Sequence, residues 1–393
     1  MPDLKFEKIT SDKAAIGSCC GERSDLFSLP ATPQRTCGSM GKKDLPPWAI
    51  GIVPTAAGTV LKVSSDWSHA DYWGMIKSRG GAFRMIYSVT PGLYAVGDPT
   101  KDSDVFVTAN YKLSFDTLRR SLKGLDAWIL VLDTKNINVW CAAGKGTFGT
   151  DELVKKISEA RLDAVVSHRR VILPQLGAVG VNASAVQKKT GFRVSFGPVD
   201  AKDIPAYIRA GHKKTKEMST ITFSMLDRMI LTPMEINPAM KKFLWLAAGI
   251  LLIFGLQPSG ILFKPAWSHG LPFLCLGLIG LFAGALVTPV LLPFIPFRAF
   301  AIKGWIVGML AVMLAEHIFG IVDKHSPIMI TATYIFFPAL SSYLALQFTG
   351  ATTFTGMSGV KKELKIGIPI YIGAAGVSLV LLIVFKLKEW GIV

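Results

Sequence analysis

Cysteine is scarce in this chain: five occur in 393 residues, at Cys19, Cys20, Cys37, Cys141 and Cys275. None forms a CxxC pair, which excludes a zinc ribbon or a self-contained iron–sulfur cluster. The odd count, and an adjacent Cys19-Cys20 pair that could close only a strained disulfide, read as reduced thiols. Charged residues are few as well, at 18%, and no basic run interleaved with aromatics marks a nucleic-acid surface. Met1–Thr10 has no apolar run, so no signal peptide is expected there. A phosphate loop is also missing. Gly144-Lys145 has Val139 where the leading Gly belongs and Gly146 where a Ser or Thr should follow. Nucleotide hydrolysis is thereby excluded.

Apolar residues are abundant, at 50% of the chain, and concentrated towards its end. From Phe243 onward only nine Lys+Arg and four Asp+Glu occur, a net of +5 out of +16 for the whole chain. Five apolar stretches fall there, roughly Phe243–Phe263, Leu271–Ile295, Ala299–Val322, Ile328–Phe348 and Gly367–Phe385. Each approaches the ~20 residues that a membrane-spanning helix needs. Pro289, Pro293 and Pro296 are expected to kink or end the second. Lys241, Lys242, Arg298, Lys303, Lys361, Lys362 and Lys365 fall on one side, against Lys264, Lys324, Lys386 and Lys388 on the other. The positive-inside rule makes the first side cytoplasmic, so the chain is expected in the cytoplasmic (inner) membrane with its front part in the cytosol. Glu316 and His317 in the third stretch are ionisable at membrane depth, which marks a substrate path. A blander reading places Glu316 near interfacial water beside Asp323-Lys324-His325. Cys275 reads as a small apolar residue.

Before the spans, short apolar runs alternate with turn clusters. Ala127–Asp133 and Ala164–Ser167 are expected as buried strands, and Phe115–Leu122 and Asp151–Arg161 as amphipathic helices, with Thr150 as an N-cap. Alternation of this kind predicts an α/β, Rossmann-like domain with a largely parallel sheet. The organisation expected is a flexible arm (1–45), the α/β domain (46–212), a basic amphipathic linker (213–242) and an all-α transmembrane domain of five helices (243–393). Ligands of such sheets sit in loops beyond the carboxyl ends of the strands. One such loop is Asn136–Thr147, where Cys141 is followed only by small residues and then Lys145. Early in a helix its thiol pKa would be lowered. A Cys nucleophile needs a His base, and His69, His168 and His212 are available without any signature linking them to it. The residues alone leave Cys141 open as nucleophile, metal ligand or packed side chain.

The stretch NVWCAAGKGTFGT (Asn138–Thr150) resembles the corrinoid proteins of mercury-methylation systems. Pro91–Pro99, Val107–Asp116, Leu173–Ala178, Gly197-Pro198-Val199 and Asp203-Ile204-Pro205 are similar to the related corrinoid iron–sulfur proteins. The resemblance covers about Pro46–His212. It implies a cobalamin-type corrinoid, base-off, with Cys141 as the lower axial ligand of cobalt. Ala142, Ala143 and Gly144 would let the helix approach the ring, and Val139 and Trp140 would wall it, with Asn138 fixing the helix through a backbone hydrogen bond. Lys145, Gly146, Thr147, Thr150, Thr108, Asn110, Ser114, Gln175 and Gly177 would complete the corrinoid contacts. The activity implied is methyl transfer to Hg(II), giving methylmercury, with Cys19 and Cys20 as a candidate Hg(II) trap. The partners implied are a ferredoxin-like iron–sulfur protein and a donor protein delivering methyltetrahydrofolate. Two alternatives stand beside this: a membrane-anchored corrinoid methyl carrier of one-carbon metabolism, and a transporter with a ligand-sensing domain.

Overall fold

The computed structural model describes residues 45–321, 326–352, 354 and 357–392. The Cys19-Cys20 pair, nearly all of the expected arm and the Asp323-Lys324-His325 segment lie outside the described residues. The chain is an N-terminal mixed α/β sheet domain followed by a region with five helices long and apolar enough to cross a membrane.

Seven strands form the main sheet in the order β1-β2-β3-β5-β4-β6-β7. They are β1 (Ala49–Thr55), β2 (Gly58–Val63), β3 (Gly92–Val96), β4 (Val105–Ala109), β5 (Ala127–Leu132), β6 (Arg170–Leu173) and β7 (Arg193–Phe196). The strands β5, β4, β6 and β7 run parallel. The other half is mixed: β1 and β2 are an antiparallel hairpin, and β3 runs antiparallel to β5. The segment between β3 and β4 is too short for the crossover that a parallel neighbour requires. All of β4 and β5 is buried. Their side chains alternate between two cores, because successive residues of a strand point to opposite faces. Trp128, Leu130 and Leu132 join one core with Leu153, Ile157 and Val186, while Ile129 and Val131 join the other with Phe115, Leu118 and Tyr207. Helices therefore cover both faces.

The helices that matter for the site are α1 (His69–Ser78), α2 (Lys112–Ser121), α3 (Val139–Lys145), α4 (Thr150–Glu159) and α5 (Ala183–Thr190). Three local expectations change. Ala164–Ser167 is not a strand: Leu162–Val165 is a helical turn that buries Leu162 and Val165, and Arg170–Leu173 takes the strand position. A short apolar run carries no period that separates the two. Helix α2 begins three residues before Phe115, because Lys112 is buried in an ion cluster. The N-cap of α4 is Gly149, not Thr150. A Cβ at Gly149 would lie 2.7 Å from the Gly146 carbonyl oxygen.

Beyond the sheet, α6 (Met225–Leu231) leads into α7 (Pro233–Gly255), so the second half of the expected linker is helical and continuous with the first apolar helix. Then follow α8 (Phe263–Phe282), α9 (Phe300–Phe319), α10 (Pro327–Gln347) and α11 (Met357–Glu389). The second span runs on from α8 through a π-helical turn to Val290. Helices α9 and α10 meet through small residues, which let backbones approach in the absence of a hydrophobic driving force. Ser341 Oγ donates to the Gly304 carbonyl (2.8 Å), and a Cβ at Gly308 would come within 2.5 Å of Ser341 Cβ.

Candidate functional site

The parallel strands end along one edge, and the loop after β5 carries Cys141 to it. Lys135 and Asn136 both adopt the left-handed region (φ 57° and 61°), which costs a non-glycine residue of order 1 kcal/mol. Asn110, buried at the end of β4, holds the loop in that shape. Its Oδ1 accepts from the backbone N–H groups of Thr134 and Asn136 (both 3.1 Å), and its Nδ2 donates to Asn136 Oδ1 (3.2 Å). The Thr134 hydroxyl lies 2.8 Å from Asn110 Oδ1 and 2.7 Å from the Ile137 carbonyl oxygen. Asn138 then caps α3, accepting from the Cys141 N–H at 3.1 Å. The helix closes at Gly146 with φ 82°.

Replacing Asn110 by Ala strands two loop N–H groups and should lower the stability of the α/β domain by about 1–3 kcal/mol. Thermal denaturation of the purified variant measures this. A melting temperature equal to that of the unchanged protein would remove Asn110 from the role of loop organiser.

Helix α3 sets its faces by its period. Val139, Ala142 and Ala143 are buried against the core, whereas Cys141 is half-buried and Trp140 is 37% exposed. A cavity of about 790 Å³ opens beside that outer face, near the upper end of what small-ligand sites occupy. Asn138, Val139, Trp140, Cys141, Thr108 and Ser114 of the expected contacts line it, together with Leu173, Pro174, Gly197 and Val199 from the ends of β6 and β7. Leu231, Met234 and Gly350 of the membrane-helix region line it as well.

The remaining expected contacts lie elsewhere. Gly144, Lys145 and Gly146 are exposed on the far end of α3. Asn110 serves the loop, and the Thr147 hydroxyl lies 3.4 Å from the Thr134 carbonyl oxygen. The Thr150 hydroxyl accepts from the Asn182 N–H (2.9 Å), and Gln175 accepts from Lys214. A Cβ at Gly177 would meet the Phe148 ring at 2.5 Å, so this glycine serves packing. Gly180 does the same for α3, since a Cβ there would lie 2.2 Å from the Phe148 carbonyl oxygen and 3.0 Å from Ala143 Cα.

Among the described residues, no histidine lines the cavity. His168 Nε2 lies 3.0 Å from the Ser103 carbonyl oxygen and His212 Nε2 lies 2.7 Å from Asp104 Oδ2. Both are at the opposite edge of the sheet, before β4 begins. The residues that sequence reasoning missed are Arg79, Arg84, Tyr111 and Met234, all lining the cavity. Tyr111 sits inside a stretch already singled out, whereas the arginines carry no local signal.

Comparison with known proteins adds a family. Residues 84–208 match the CO dehydrogenase/acetyl-CoA synthase delta subunit family. The chain is 33% identical over 127 residues to the acetyl-CoA decarbonylase/synthase complex subunit gamma of Archaeoglobus fulgidus, covering 32% of this chain and 27% of that protein. It is 34% identical over 129 residues to the subunit gamma of Methanosarcina acetivorans (32% and 27% covered). With subunit gamma 2 of Methanosarcina mazei it is 30% identical over 210 residues (44% and 43% covered). The chain thus spans between about a quarter and two-fifths of these relatives' length.

These relatives overturn the assignment to mercury methylation. The activity on Hg(II), the Cys19 and Cys20 trap, the ferredoxin-like iron–sulfur partner and the methyltetrahydrofolate-delivering protein are withdrawn with it, because the proteins matched are subunits of an acetyl-CoA decarbonylase/synthase complex. The physical reason is that the motif residues shape the loop after β5 and the wall of the cavity. None of these roles is particular to a mercury substrate. What the comparisons support is similarity of residues 84–208 to subunits of carbon monoxide and acetyl-CoA chemistry.

Proposed function

We propose that the chain is a membrane-anchored corrinoid methyl carrier of one-carbon metabolism, serving acetyl-CoA synthesis or cleavage of the kind its relatives are named for. One observation carries the reading: within the matched stretch, a half-buried thiol lies on the wall of a 790 Å³ cavity at the carboxyl ends of the parallel strands of a mixed sheet. A single thiol supplies a single ligand, so a metal held by Cys141 must bring most of its coordination sphere with it, as a corrinoid does. The lining fits on a further count: its exposed surface is largely apolar, with Trp140, Val139, Leu173 and Pro174.

When bound, a corrinoid supplies a cobalt centre that accepts and gives up a methyl group. The protein's own residues do the rest. Cys141 would hold the cobalt through its sulfur, and its position is set by the Asn138 cap and the Asn110-held loop. Trp140, Val139 and the ends of β6 and β7 line the cavity and would keep water from the bound group. The cap makes Asn138 a positioning residue. The α/β domain lies on the cytosolic face, and the five spans anchor it there.

Anaerobic purification from cells supplied with a corrinoid tests this directly. The expected result is a bound corrinoid with its characteristic visible absorption, whose methyl group is delivered to an acetyl-CoA decarbonylase/synthase-type enzyme. Protein that neither retains nor takes up a corrinoid at micromolar concentration would sink the proposal.

A further inference from the structure

Two arginines of the cavity have no place in the reading so far. Arg79 is the C-cap of α1, and Arg84 lies one short turn further on; both line the cavity and both are half-buried. No carboxylate pairs with either of them among the described residues. The Arg79 Nε atom is buried and no protein acceptor reaches it. Arg84 has a weak acceptor, the thioether of Met234 at 3.7 Å, and the face of the Tyr111 ring 5.6 Å from its Cζ. The two charges also repel: burial and Arg84 work against the charged form of Arg79, only partly offset by Tyr111 and Asp227. Burying adjacent, unpaired guanidinium groups is costly unless an anion joins them. Elsewhere the cavity lining carries Asp200, Asp203 and Glu217 together with Lys202, which pairs with Asp200 at 2.8 Å.

We infer that Arg79 and Arg84 form the seat for a phosphodiester, namely the one in the nucleotide tail of the corrinoid proposed above, an inference that rests on that proposal. Two guanidinium forks suit the paired non-bridging oxygens of such a group. The seat is also tied to the membrane helices. Asn237 Nδ2 of α7 donates to the carbonyl oxygen of Gly80, next to Arg79, at 2.7 Å, and Met234 of the same helix touches Arg84. First span and cofactor tail are therefore held at one place.

The test uses the full-length protein in detergent, freed of corrinoid, with two probes: cobalamin, and cobinamide, which has the same ring without the phosphodiester. The unchanged protein should bind cobalamin about 10-fold more tightly than cobinamide or better. The double variant Arg79→Gln/Arg84→Gln should lose that preference while its affinity for cobinamide stays unchanged, which also shows that the cavity is still folded. Equal losses for both probes, or no loss for either, overturn the seat. A loss of co-purifying anionic phospholipid from the variant with the cobalamin preference intact overturns it too, and assigns the arginines to a lipid headgroup. If the unchanged protein binds neither probe, the corrinoid reading itself fails, and that outcome is distinct from the others.

Discussion

Cys141→Ala should reduce methyl delivery from the corrinoid-loaded protein by at least about 100-fold, since losing even an outer partner of a metal ligand costs about 10–100-fold. The protein should stay folded. The inward face of α3 is made by Val139, Ala142 and Ala143, and the Asn138 cap uses the backbone N–H of residue 141, which the substitution retains. Two readouts separate ligation from simple wall-lining. The visible spectrum of the bound corrinoid should shift in Cys141→Ala, and Cys141→His, which offers a different axial donor, should give a third spectrum with partial activity. Truncating a wall residue, as in Val139→Ala, should leave the band positions alone. A Cys141→Ala protein with an unshifted spectrum and undiminished transfer would show that Cys141 only packs beside the cavity.

What the sequence made legible, and what it hid, follows physical lines. The run Ala127–Leu132 could be read as a buried strand because every residue in it is apolar, and the structure buries each one. The position of the Cys141 loop followed from that strand. The five spans were legible from length and hydropathy, but their ends were not. Hydropathy counts side chains, whereas the break between the first two spans is a backbone event, the turn at Pro258-Ser259 between Leu256–Gln257 and Gly260–Ile261. The cavity was half-legible. Trp140 and Cys141 stand in a quoted motif, yet Arg84 meets Met234 across a separation of 150 residues, which no local pattern encodes. Small residues misled in a different way. Ala142 and Ala143 invite a ligand to lie against them in the sequence, but in the fold their near neighbours are core side chains and the Gly180 backbone. The substrate was least legible of all, because the residues that shape this cavity wall would serve several acceptors of a methyl group equally well under the proposed function.

The second large effect concerns stability. Helices α1 and α2 are joined by four buried charges: Lys112 Nζ lies 3.1 Å from Asp71 and 2.5 Å from Asp116, and Arg119 lies 2.9 Å from Asp71 and 2.7 Å from Asp116. Arg119 is fully buried and also donates to the carbonyl oxygens of Ser64 (2.5 Å) and Asp66 (3.0 Å), just after β2. Arg119→Met should therefore destabilise the α/β domain by about 3–5 kcal/mol, because it leaves two carboxylates sharing one cation and two carbonyls without a donor. An exposed pair such as Lys123–Asp66 is the control, and Lys123→Met should cost no more than about 1 kcal/mol. Acid should reach the same cluster. Burial alone would raise the Asp71 carboxyl, but the Ser68 N–H and hydroxyl, the Lys112 charge and the Arg119 guanidinium together bring it down to about 2. A carboxyl whose folded-state pKa is depressed contributes stability above its unfolded value of 3.8 and loses it as pH falls through about 2. Denaturation midpoints should accordingly be insensitive to Asp71 protonation above about pH 4 and fall steeply between about pH 4 and 2. In Asp71→Asn that acid-dependent step should shrink, while the neutral-pH midpoint drops because Lys112 and Arg119 lose a partner. An Asp71→Asn protein with the same acid profile as the unchanged one would mean that other carboxylates govern the acid limb, and that the cluster is held by packing around Trp67 and Tyr87 instead.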